Sequence, residues 1–136
     1  ILCARDLPEY YRAPIPGVQP GVVTLEAEVI ELRRKPSVPV GERFIDAFGR
    51  RPDYEDRGER LRLLLAVGKR DIGDPSFLSP RDPRVHVIGG SSDHLICEVD
   101  EPAGDLRYGS VLAFDLFYGA MLFLSDADPY VGLVES

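Results

Sequence analysis

Tryptophan is absent, methionine occurs once, and the 136 residues hold only two histidines and two cysteines. Cys3 and Cys97 have no metal-ligand spacing, and two thiols make no disulfide framework, so a reducing, cytoplasmic compartment is expected. No apolar run reaches the about 18 residues of a membrane span, and no signal peptide is legible, so no membrane partner is expected. Basic charge is scarce as well. The formal net charge is -7, and the one basic run, Arg33-Arg34-Lys35, follows Glu26, Glu28 and Glu31. A phosphate backbone needs a basic face, so nucleic acid is excluded as the main partner. A glycine-rich phosphate loop, a zinc ligand set and a nucleophile elbow are all missing, and His86 and His94 show no metal-pair spacing. No metal site is expected.

What is present fits one domain with one core, at 44% hydrophobic and 29% charged residues. Residues 1–20 carry Pro8, Pro14, Pro16 and Pro20 around Tyr10 and Tyr11. Proline at that density disfavours helix and predicts an extended arm leading into a domain at 21–136. Val23, Leu25, Ala27 and Val29 alternate with Thr24, Glu26 and Glu28, which predicts a half-buried strand, and Ile30 and Leu32 break the phase, which predicts a bulge near Val29. Residues 35–41 read as extended and proline-set, 44–49 follow, and 50–59 read as a charged surface loop. Residues 60–67 form a short buried strand between Gly58 and Gly68, closed by a charged turn at 69–73. Asp74-Pro75, Ser79-Pro80 and Asp82-Pro83 mark a loop, and Val85, Val87 and Ile88 a strand with His86 on its other side. Strands are also expected at 95–99, 111–117, 120–124 and 130–134. Short strands punctuated by proline and glycine predict an all-β fold, a single antiparallel or mixed barrel or sandwich.

The densest chemistry lies at 89–94, Gly-Gly-Ser-Ser-Asp-His, just before the strand Leu95-Ile96-Cys97-Glu98-Val99. Gly89 and Gly90 permit positive φ and close approach, and two hydroxyls, a carboxylate and an imidazole follow together. Such a knot is either a polar turn satisfying its own backbone or a site on a strand entrance. Asp93 is placed to orient or charge the imidazole of His94, an acid–base pairing. Tyr118 precedes Gly119 and is read either as packing or as a phenol presented to a cavity. His86 reads as structural or solvent-facing.

Taken in order, Leu-Glu-Ala-Glu-Val-Ile-Glu-Leu (25–32), Lys-Pro-Ser-Val-Pro-Val-Gly (35–41), Asp-Ala-Phe-Gly (46–49), Ala-Val-Gly-Lys-Arg-Asp-Ile (66–72), Gly-Gly-Ser-Ser-Asp-His-Leu-Ile (89–96), Tyr-Gly-Ala-Met-Leu (118–122) and Pro-Tyr-Val (129–131) are similar to one group of enzymes. The chain resembles the C-terminal β-domain of the alanine-racemase-like, pyridoxal-phosphate-dependent amino-acid racemases, in particular their ornithine-racemase-like branch. The resemblance runs over nearly the whole chain.

It implies a preceding (β/α)₈ barrel that holds the cofactor on a Schiff-base lysine, and a homodimer in which each β-domain covers the partner's barrel mouth. Ile1-Leu2 then stands near the end of the last barrel strand, and the start without methionine reads as a fragment or processed product. Pyridoxal 5'-phosphate is expected mainly on the barrel, with none held covalently here, since neither Lys35 nor Lys69 replaces the missing lysine. Where the family has the tyrosine of a Tyr-Gly pair as second base, this chain has Phe48-Gly49, and Phe48 moves no proton. The resemblance sets Ser92-Asp93-His94 at the turn contributing to the substrate carboxylate site, and Gly68-Lys69-Arg70-Asp71 at the entrance turn. Ser92, Asp71 and Lys69 are therefore expected to bind the amino-acid substrate, and Tyr118, His94 and Asp93 to supply the second proton relay. The acidic charge and the branch both point to basic amino acids. Two other readings stay open, a stand-alone binding module for a small molecule or protein, and a dimerisation domain without catalytic role.

Overall fold

The alternation at 24–29 makes the centre of the sheet. In a computed structural model that describes residues 4–36 and 58–126, β1 (Thr24–Pro36) turns Leu25, Ala27 and Val29 inward and Glu26 and Glu28 outward. Its register shifts between Val29 and Glu31, the expected bulge, and this lets one long strand serve two neighbours. Residues 24–28 pair with β6 (Val111–Leu116), and residues 29–36 with β2 (Glu59–Leu65). β5 (Leu95–Val99) lies beyond β2, followed by β4 (Val85–Gly90), while β3 (Leu78–Pro80) flanks β6. Every neighbouring pair is antiparallel. The edge strands β3 and β4 approach each other, so six strands curl into a nearly closed barrel, the all-β architecture expected.

Inward side chains fill the barrel, with Val29, Leu63, Leu65, Leu95, Val99 and Phe114 among the most buried. Cys97 sits there too, and burial pushes its thiol up to about 12. The outer face is polar. Glu98 is only 7% exposed although it points outward, because Arg62 covers it at 3.0 Å. No helix among the described residues is long and apolar enough to cross a membrane.

Three expectations change. Residues 120–124 are not a strand but part of α3 (Tyr118–Ser125), whose buried and half-buried residues Ala120, Met121 and Leu124 follow a helical spacing. The run holds no polar residue to reveal its period, and short apolar runs suit either structure. The proline-rich arm contains one helical turn, α1 (Asp6–Glu9), and Pro8 fits because a first-turn N–H has no intrahelical partner. Residues 69–72 form α2 (Lys69–Ile72), followed by a single 3₁₀ turn at Pro75–Phe77. The expected features at 37–57 and 127–136, Phe48-Gly49 and the strand at 130–134 included, lie outside the described residues, as do Cys3 and Ile1-Leu2.

Candidate functional site

Two turns distant in sequence meet as one exposed corner. Residues 91–94 cap the β4–β5 hairpin: the Ser91 N–H donates to the His94 carbonyl at 2.8 Å, and the His94 N–H returns to Ser91 Oγ at 3.1 Å. The start of α2 docks on this turn. The Lys69 N–H donates to the Ser91 carbonyl at 2.9 Å and the Arg70 N–H to the Ser92 carbonyl at 3.0 Å. Gly68 makes the approach possible, since a Cβ there would lie 2.2 Å from the Ser92 carbonyl oxygen. Asp71 folds back to accept the Gly68 N–H at 2.9 Å, which fixes the first turn of α2.

Five of the expected site residues, Lys69, Asp71, Ser92, Asp93 and His94, therefore share the corner. The expected acid–base pairing does not form. Asp93 accepts from Ser92 Oγ at 2.9 Å and faces Arg70 at 3.8 Å, so its carboxylate is directed to the α2 side instead of to His94. His94 is exposed and lies near Glu31. There the Lys35 hydrogen bond holds the carboxyl below the usual carboxylate range, opposed by burial and helped by Arg33 and His94.

The glycines act differently from expectation. Neither Gly89 nor Gly90 takes positive φ, and both belong to β4. Close approach explains Gly90, whose Cβ would stand 3.0 Å from the His94 carbonyl oxygen, whereas Gly89 faces open space.

Tyr118 opens α3 at 41% exposure, and its N–H donates to Asp6 Oδ2 at 2.7 Å. Among the described residues no hydrogen bond or ion pair joins it to the 92–94 turn. The link is indirect, through α3 packed on α2, where the Phe123 ring covers Gly73. Gly119 is not a flexible joint: its Cβ would fall 2.6 Å from the Phe77 ring.

Sequence reasoning missed two features. His86 joins Asp100 at 2.7 Å beside the half-buried Arg60, a cluster that also holds the Asp100 carboxyl down, His86 first and Arg60 second. The β4–β5 register brings His86 to Asp100, and the β2–β5 register brings Arg60. Asp6 is the other, and nothing local in the arm announced its bond to a residue 112 positions away.

No protein-family profile matches the sequence. Among curated proteins, an ornithine racemase of Acetoanaerobium sticklandii is 42% identical over 112 residues, 82% of this chain. A lysine racemase of Thermotoga maritima is 46% identical over 98 residues, 72% of this chain. The chain is related to the amino-acid racemases. The expected kinship thus holds, over a part of those proteins: the matches span 31% and 27% of the two relatives.

Proposed function

We propose that this chain is the C-terminal β-domain of a pyridoxal-phosphate-dependent amino-acid racemase, covering the active site of a (β/α)₈ barrel in the same or a partner subunit of a homodimer. The substrate class we assign is a basic amino acid such as ornithine or lysine. The observation that carries the reading is the identity shared with an ornithine and a lysine racemase over most of this chain. The corner supports it, because the two segments resembling the entrance turn and the carboxylate turn pack backbone to backbone. Tyr10, Tyr11, Tyr118, Leu122 and Phe123 are exposed, which fits a domain that meets another surface.

Pyridoxal phosphate, when bound, supplies the electron sink that eases loss of the α-proton. The turn at 68–70 does not fit its phosphate. A phosphate is held by open N–H groups, and those of Gly68, Lys69 and Arg70 are taken by Asp71, Ser91 and Ser92. Lys35 is engaged by Glu31 at 3.0 Å. We assign the cofactor to the region of the parent enzyme that this chain does not span.

Within this reading Ser92, Lys69 and Asp71 border the substrate, and the second proton relay comes from Tyr118, His94 or Asp93. Racemisation needs a proton-moving group on each face of the α-carbon. Tyr118 is the strongest of the three. Asp93 is committed to Ser92 and Arg70, and His94 has no carboxylate from Asp93 to charge it.

The test is Tyr118→Phe in the full-length enzyme. It should lower kcat by about 10²- to 10⁴-fold with KM little changed, the usual worth of a positioned acid–base group. Undiminished kcat would remove Tyr118 from the relay.

A further inference from the structure

Residues 4–10 close like a clasp over the end of β6 and the start of α3. Ala4 is buried, and the Arg5 N–H donates to the Leu116 carbonyl at 3.1 Å. The Arg5 guanidinium binds one oxygen of Asp115 at 2.9 Å while Arg81 holds the other at 2.7 Å. The Tyr10 ring stacks on Phe117 with centroids 4.7 Å apart. At the centre, Asp6 Oδ2 accepts the N–H of Tyr118.

That last bond replaces something α3 lacks. Phe117 stands at the position where a helix usually begins with Ser, Thr, Asp or Asn, and it has no oxygen to offer. The Ala120 and Met121 N–H groups both return to the Phe117 carbonyl. The Tyr118 N–H has no such intrahelical partner, as for every first-turn N–H. A carboxylate at this point satisfies it and suits the positive end of the helix dipole. Asp6 thus caps α3 from a remote segment.

We infer that Asp6 is a positioning residue: it fixes the first turn of α3, and with it the Tyr118 phenol, so that docking of residues 4–10 and alignment of Tyr118 are one event. The inference rests on the reading of Tyr118 as a proton-moving group. It adds that the arm itself sets the geometry of the site. Arg5 and Tyr10 hold the neighbours of Tyr118, but Asp6 bonds to the backbone of Tyr118 itself.

The experiment compares Asp6→Ala, Asp6→Asn and Tyr118→Phe in the full-length enzyme, by amide hydrogen exchange at 118–121 and by kcat and KM on ornithine and lysine. Asp6→Ala should speed exchange at 118–121 by roughly 2- to 30-fold, the range for a lost capping side chain, and lower kcat with KM little changed. Asp6→Asn keeps an acceptor oxygen in place and should restore both, because Asn caps as well as Asp. Unchanged exchange in Asp6→Ala overturns the cap. Faster exchange with undiminished kcat, in an enzyme that Tyr118→Phe slows, overturns the coupling. Undiminished turnover in Tyr118→Phe contradicts the role of Tyr118 and the catalytic half of the inference, while the exchange comparison still decides the cap.

Discussion

Gly68 shows how one missing side chain organises the corner. Its φ is -135°, an extended value open to any residue, so conformation is not the reason for glycine. Space is, because the nearest atoms to a Cβ belong to the Ser92 and Asp93 backbone and have no rotamer to escape through. Gly68→Ala should therefore destabilise this chain by about 1–3 kcal/mol, as overpacking does, and lower the urea midpoint without changing the slope. Gly89→Ala is the matched control. Its Cβ would meet nothing within 4 Å, so the effect should stay within about 0.5 kcal/mol. Equal effects of the two substitutions would show that the corner yields to a methyl group.

At the scale of elements, α3 is the place where sequence pattern and structure part. A strand at 120–124 would bury Ala120, Leu122 and Leu124 alike, whereas α3 buries Ala120 and leaves Leu122 and Phe123 half exposed. Leu122→Ser should thus change the unfolding free energy by under about 0.5 kcal/mol, while Ala120→Leu, forced into a fully packed position, should cost about 1–3 kcal/mol. A large loss from Leu122→Ser, measured by the same denaturation, would argue for the strand. β1 was legible because Glu26 and Glu28 alternate with Leu25, Ala27 and Val29, and even its bulge showed in the phase break at Ile30. The corner was half legible. The polar types at 91–94 were plain, but the cation facing Asp93, Arg70, comes with α2 from more than 20 residues away. The Asp6 cap was not legible at all, since a helix start without Ser, Thr, Asp or Asn gives no sign that another segment will supply the oxygen.

On the scale of the whole molecule, polar side chains tie the barrel's outer face and the loops beside it. Arg62 meets Glu98, His86 meets Asp100, and Arg84 binds Asp82 and Asp105. The Arg84 hydrogen bond holds the Asp105 carboxyl down to about 2. The end bearing the arm and α3 is different, with exposed aromatic and aliphatic side chains beside Tyr118. The relatives are more than three times as long as the segment matched, so this end has a counterpart to meet in the reading proposed above. The most direct measurement is α-deuterium exchange in heavy water, followed by chiral analysis, with the full-length protein, pyridoxal phosphate and L-ornithine or L-lysine. The account predicts deuterium at the α-carbon and growth of the D-isomer toward an equal mixture. Retention of the α-hydrogen and of the L-form with both amino acids would contradict it.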